Sequence, residues 1–165
     1  MYALRCTLPL LKRLGPPIED LSAGSTSTAL GDWFVRPFNV RRSRLLLCTS
    51  AQSLLPVIIP AKDIHSLPSR LAAALTLVLA ALAVPESQIQ GELRAMRDHH
   101  FAKTNSRIVL GSMTDFIRMG DWHIYESAFP PDLLEAALQL AEAPCKPLKY
   151  DRPKDVARAL LRHVV

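Results

Sequence analysis

The first third of the chain consists of short apolar runs separated by polar turns. Residues 2–7, 31–40, 43–50 and 54–61 are runs of this kind, and the second is rich in aromatic and β-branched side chains. Such runs predict short strands, and their close succession predicts mainly antiparallel neighbours. Pro37 has no amide hydrogen to donate to a ladder, so we expect it at a sheet edge or at a bend.

Beyond the strands the apolar positions recur with a helical period. One helix is predicted over residues 66–84 and a second over residues 85–100, where His100 continues an inward-facing apolar stripe. Two further amphipathic helices are predicted over residues 131–143 and 151–164.

Between these helices the pattern predicts a strand followed by another helix. Residues 106–110 form a short β-like run that ends at Gly111. Ser112, with Asp115 three positions later, resembles a capping box and predicts a helix start.

The length and composition fit one domain with a real core. The chain has 165 residues, of which 49% are hydrophobic. We predict an α+β fold over residues 1–165, in which a small, mainly antiparallel sheet from the N-terminal third packs against a cluster of helices on one face. A short helix at residues 8–15 precedes a predicted flexible loop at about 16–30.

The longest apolar run, residues 71–84, raises the question of whether the chain contains a membrane-spanning helix. It has 14 residues, whereas a membrane-spanning helix needs about 20. We therefore expect a buried core helix and no membrane association. The first residues lack the apolar segment of a secretory signal, so a cytoplasmic protein is predicted.

Net charge and cysteine content exclude few classes of function. The formal net charge is +5, which permits a polyanionic partner without requiring one. Cys6, Cys48 and Cys145 are odd in number and far apart, so they predict free thiols rather than a disulfide framework or a zinc site.

The segment 97–116 is the main candidate site. A strand, a Gly-Ser step and a helix start would place unpaired backbone N–H groups where they attract an anion. The residues expected to bind the anion or ligand are Lys103, Asn105, Arg107, Gly111 and Ser112. Capping and a tight turn explain the same residues without any ligand, and both interpretations stay open.

Two adjacent histidines suggest a different chemistry. His99 or His100 could transfer protons, with Lys103 and Arg107 stabilising charge, as in a small hydrolase or nuclease. Adjacent residues on a helix lie about 100° apart, so the pair would not easily share one substrate atom. No spacing in the sequence predicts a metal site or a nucleotide cofactor.

The C-terminal region carries a second basic cluster. Tyr150 lies among its cations, and such a combination can contact a nucleic-acid backbone. The predicted nucleic-acid surface consists of Lys149, Arg152, Lys154, Arg158 and Arg162. A solvated helix face is the alternative interpretation.

Three motifs together resemble a known family. They are LRCT at residues 4–7, LGDW at residues 30–33 and FAKTNSRIVLGSMTDF at residues 101–116. With these motifs the chain is similar to a family of small bacterial proteins classed as a domain of unknown function. The resemblance implies a single cytoplasmic α+β domain and no particular activity.

Three functions remain as hypotheses. The first is a non-enzymatic binding domain for nucleic acid or another phosphate-bearing partner, and it predicts salt-sensitive binding. The second is the small hydrolase or nuclease, which predicts turnover. The third is an accessory or antitoxin-like subunit that binds a protein partner and whose binding survives salt. The sequence leaves the oligomeric state open.

Overall fold

In a computed structural model, five strands form one sheet. The model describes residues 1–14, 26–40, 42–120, 122 and 132–164, so most of the loop predicted at 16–30 lies outside the described residues. The strands are β1 (Tyr2–Cys6), β2 (Trp33–Val40), β3 (Ser43–Ser50), β4 (Pro56–Pro60) and β5 (His99–Lys103). Their order across the sheet is β4-β3-β2-β1-β5.

Pairing in this sheet is antiparallel on one side and parallel on the other. β2, β3 and β4 form an antiparallel meander, as their short connections predict. β1 lies parallel to both β2 and β5, and the connections to these partners contain helices. The predicted α+β class is confirmed.

Pro37 lies in an inner strand, not at an edge. It faces Leu46 across the β2–β3 ladder. On the other side, β1 pairs with β2 only as far as Val35. Pro37 is therefore beyond the end of that pairing, and its missing amide hydrogen removes no ladder hydrogen bond there.

Six helices complete the described part of the chain. Their bounds are α1 (Leu8–Leu14), α2 (Leu67–Ala81), α3 (Glu86–Ala95), α4 (Arg107–Met119), α5 (Leu133–Leu140) and α6 (Pro153–Leu161). Pro68 and Pro153 lie at the starts of their helices, where a missing amide hydrogen has no cost.

Helices cover both faces of the sheet, in contrast to the single face that we expected. All five residues of β1 are buried, which requires cover on both sides. Arg36 of β2 donates a hydrogen bond to Thr114 of α4. Helix α4 therefore packs on the face of the sheet that carries the Arg36 side chain. Cys6 and Cys48 lie on the opposite face of the sheet. Burial raises the pKa of Cys48, and the charge of Arg70 on α2 opposes that rise, so α2 lies near this second face.

Helix α2 is a core helix on one side only. Its buried side chains are Leu67, Leu71, Leu75, Val78 and Leu79, whereas Leu77 is 59% exposed. Among the described residues, the stretch Ile64–Ala81 is long and apolar enough to cross a membrane by length and composition, with 33% of it buried. Core helices of globular domains meet the same criterion.

The second predicted helix extends five residues too far at its C-terminal end. It ends at Ala95, and His99 and His100 belong to β5 instead. Tyr2 pairs with His99 and Ala3 with His100 in the parallel ladder. The prediction was wrong because pairing with a distant strand overrides local helical periodicity.

The predicted strand 106–110 is also wrong, since α4 begins at Arg107. Ser106 is the N-cap, and its hydroxyl accepts a hydrogen bond of 3.3 Å from the amide of Val109. Ser112 is therefore a buried residue in the middle of α4 and not its cap. Val109, Met113 and Phe116 form a helical stripe into the core, which outweighs the β-branched character of the run.

Candidate functional site

The three sequence motifs meet at the side chain of Arg5. Its Nε lies 2.9 Å from Oδ2 of Asp32, and its Nη1 donates to the carbonyl oxygen of Lys103 at 3.0 Å. Asp32 also accepts the amide of Ala3 at 2.9 Å. Arg5 thus ties β1 to the start of β2 and to the end of β5, and it positions the turn from which α4 begins.

That turn carries the first group of predicted anion-binding residues. Lys103, Asn105 and Arg107 are all exposed. The helix start that we predicted at Ser112 is at Ser106, so the geometry of strand, turn and helix N-terminus exists six positions earlier in the chain. Gly111 and Ser112 consequently lie away from the unpaired amides of the helix end.

A groove runs along α4. Its volume is about 540 Å³, and its second wall is the segment 144–147. We call it the α4 groove. It is lined by Arg107, Ile108, Gly111, Ser112, Asp115, Phe116, Arg118, Met119, Pro144, Cys145, Lys146 and Pro147.

The α4 groove is basic at its rim and apolar on its walls. Arg107, Arg118 and Lys146 form no ion pair within the described part of the chain. Asp115 is the single carboxylate among the described residues that line it. The walls therefore offer apolar surface beside three cations that have no ion-pair partner among the described residues.

Two exposed hydrophobic residues and one glycine shape this groove. Ile108 is 65% exposed and Met119 is 49% exposed, although both are large apolar side chains. A Cβ added at Gly111 would meet nothing within 4 Å. Gly111 therefore leaves the middle of the groove open, and the exposed side chains offer contact area to a ligand.

The groove unites part of the predicted site and adds residues that the sequence did not suggest. Arg107, Gly111 and Ser112 line it, whereas Lys103 and Asn105 do not. Arg118 and Lys146 were not predicted. Once α4 is known to begin at Arg107, helical spacing places Arg107, Gly111, Asp115 and Arg118 on one side of it.

The two histidines lie apart from this groove and from each other. They are consecutive in β5, so their side chains lie on opposite faces of the sheet. The ring of His99 is 6.4 Å from that of Tyr2 and 5.7 Å from that of Phe101. Nδ1 of His100 is buried and has no hydrogen-bond partner among the described residues. A shared catalytic role for the pair has no geometric support.

The structure gives little support to a metal site or to a reactive cysteine in the described part of the chain. Among the residues that the model describes, no cluster of His, Cys, Asp or Glu could hold a metal ion. All three cysteines are free and buried, and burial raises the pKa of Cys6 to about 12. Cys145 lines the groove, but burial and the nearby charge of Asp115 raise its pKa, so its thiol stays protonated.

The C-terminal cations divide into paired and unpaired groups. Lys154 binds Glu142 at 2.9 Å, and together with Arg152 it lowers the pKa of that carboxyl. Arg158 lies 3.9 Å from Asp155. The remaining cations of the predicted surface, Lys149, Arg152 and Arg162, are exposed and form no ion pair within the described ranges.

Comparison with known proteins gives a family and no activity. No curated protein and no solved structure matches the chain. A family model does match, over a stretch that contains the Arg5 and Asp32 motifs and the whole of α4. The predicted resemblance to a domain of unknown function is thereby confirmed. The chain belongs to the family DUF6933, a domain of unknown function, whose model matches residues 3–156.

Proposed function

We propose that this chain is a binding domain for an anionic partner, nucleic acid or another phosphate-bearing molecule, held at the α4 groove. The observation that carries the proposal is a set of three cations, Arg107, Arg118 and Lys146, that form no ion pair within the described residues and lie around an apolar groove of about 540 Å³. Guanidinium and ammonium groups beside a concave apolar surface favour a ligand with both negative charge and apolar area.

The geometry supports binding better than it supports catalysis by histidine. His99 and His100 do not line the groove, and the groove thiol of Cys145 has a raised pKa. Lys103 ends β5 and Asn105 lies in the turn that precedes α4, and both are exposed, so they offer a further cation and an amide near the helix start. We also propose a reducing, cytoplasmic setting, which suits three free thiols.

The test is a salt titration of binding to short, mixed-sequence DNA and RNA by fluorescence anisotropy. Arg107→Gln, Arg118→Gln and Lys146→Gln each remove one positive charge from the groove. Each should weaken binding and lower the slope of log K against log[salt] by about 0.7–0.9 for a cation that contacts a phosphate. Arg94→Gln is the matched control, because Arg94 is exposed on α3 and does not line the groove.

A second variant separates the groove from overall charge. Gly111→Leu keeps the net charge but places a side chain in the open middle of the groove. It should block binding in a protein that remains folded by circular dichroism. The proposal fails if folded wild-type protein binds no polyanion at low salt, or if Arg94→Gln weakens binding as much as the groove variants do. Binding to a protein partner that survives high salt would favour the accessory-subunit hypothesis instead.

A further inference from the structure

The wall of the α4 groove continues into a closed loop, residues 145–151. The amide of Cys145 donates to the carbonyl of Asp151 at 3.1 Å, and the amide of Tyr150 donates back to the carbonyl of Cys145 at 2.9 Å. Within the loop, the amide of Lys149 donates to the carbonyl of Lys146 at 2.9 Å. These hydrogen bonds close the base of the loop and hold its tip in one conformation.

The tip of the 145–151 loop has a strained backbone. Lys149 and Tyr150 are consecutive non-glycine residues with φ of 53° and 67°. L-residues rarely adopt this left-handed conformation, and it persists where the surrounding structure enforces it. Here the hydrogen bonds at the base of the loop enforce it.

This backbone holds an aromatic ring in solvent, on the loop whose residues Lys146 and Pro147 line the groove. Tyr150 is 67% exposed, and its ring makes no hydrogen bond or ring contact within the part of the chain that the model describes. Lys146 lines the groove and Lys149 adjoins Tyr150, so cations lie on the same loop as the ring. The loop therefore combines a stacking surface with charges that suit phosphates.

We infer that the partner at the α4 groove is single-stranded nucleic acid, with one base stacked on Tyr150. Phosphates contact Lys146 and Lys149, and neighbouring bases occupy the apolar groove that Ile108 and Met119 line. Only unpaired bases can leave their own stack and reach an aromatic ring or an apolar groove, whereas a duplex presents mainly its backbone. This inference rests on the function proposed above, because it requires that the groove binds a polyanion.

The experiment compares three oligonucleotides of one length by anisotropy: a single strand, its duplex and an abasic strand with the same phosphates. The wild-type protein should prefer the single strand to both others. Tyr150→Gly removes the ring and also relieves the left-handed strain, so the variant should stay folded. It should bind the single strand about tenfold more weakly, within the range for loss of one base–aromatic stack.

Two further comparisons identify the contribution of the ring. Tyr150→Phe should retain the affinity, because stacking needs the ring and not the hydroxyl. Tyr150→Gly should leave the salt slope unchanged, because no charge is lost. It should also leave binding of the abasic strand unchanged.

The inference and the proposed function fail in different ways. If single strand, duplex and abasic strand bind equally and Tyr150→Gly has no effect, the inference is wrong, while the anion-binding function stands. If no oligonucleotide binds the folded wild-type protein at low salt, the proposed function itself fails, and the inference fails with it.

Discussion

Arg5 and Asp32 form a partly buried ion pair between positions that are 27 residues apart in the sequence. Arg5 Nε lies 2.9 Å from Asp32 Oδ2, and the side chain of Arg5 is only 7% exposed. The same guanidinium binds the last carbonyl of β5. One side chain therefore connects three strands and positions the start of α4.

Loss of Arg5 should destabilise the fold strongly. Arg5→Met leaves the carboxylate of Asp32 and the carbonyl of Lys103 without their donor, so we expect the free energy of unfolding in urea to fall by about 3 kcal/mol. The double variant Arg5→Met/Asp32→Asn should cost less than the sum of the two single variants, because the unpaired charge is gone. The control Arg97→Gln, at an exposed position, should change stability by less than about 0.5 kcal/mol. A loss below about 1 kcal/mol in Arg5→Met would show that the pair contributes little.

Alanine substitutions at two serines of one motif, Ser106 and Ser112, should change the stability of the protein by different amounts. Ser106 caps α4 through the amide of Val109, so Ser106→Ala should lower the free energy of unfolding by about 1 kcal/mol. Ser112 lies inside α4, where alanine is the better helix former, and Ser112→Ala should change stability by less than about 0.5 kcal/mol. Chemical denaturation of both variants measures the difference. Equal losses would contradict the position of the helix start.

Two glycines offer a second matched comparison. Gly111 lies within α4, and an added Cβ meets nothing within 4 Å, so Gly111→Ala should stabilise the protein by up to about 1 kcal/mol. Gly31 has φ of +80°, and a Cβ there would lie 2.7 Å from Cγ of Gln52. Gly31→Ala should therefore destabilise it by about 1–2 kcal/mol. Thermal unfolding should move in opposite directions for the two variants, and a shared direction would count against this geometry.

Glu92 should give the stability a characteristic pH dependence. Its buried carboxylate accepts the amides of Ala29 at 2.9 Å and Leu30 at 3.1 Å. Burial raises its pKa above the ordinary value of 4.5, and the two hydrogen bonds oppose that rise. The folded state thus holds this proton more tightly than the unfolded chain. The contribution of Glu92 is fully present below pH 4.5 and is lost as the pH rises through the folded pKa.

Glu92→Gln removes that titration and provides the test. The free energy of unfolding of wild type minus that of the variant should grow as the pH falls from about 7 towards the ordinary pKa of a glutamate. Urea unfolding at several pH values measures it. Ser87→Ala, exposed on the same helix, replaces a group that does not titrate and should give a constant difference. A wild-type advantage that shrinks on acidification would reverse the sign assigned here.

Local sequence patterns determined much of this fold. Strand β3 has the bounds that were predicted, and α6 begins with Pro153 in its first turn as expected. In both cases the signal lies within a few adjacent residues: an apolar run between polar turns, or an apolar stripe behind a proline. The family was likewise predicted from the sequence, and its model matches residues 3–156.

Tertiary structure decided the segment that matters most for function. His99–Lys103 is a strand because it pairs with β1. Arg107–Met119 is a helix because Val109, Met113 and Phe116 pack into the core from one side of it. The α4 groove joins Arg107 to Lys146, and no periodicity relates two positions so far apart. Local propensities are weak compared with pairing and burial between distant parts of the chain. The sequence by itself determined most element types and named Arg107 as a candidate cation, and only packing determined the strand at His99–Lys103, the helix at Arg107–Met119 and the groove that Arg107 shares with Arg118 and Lys146.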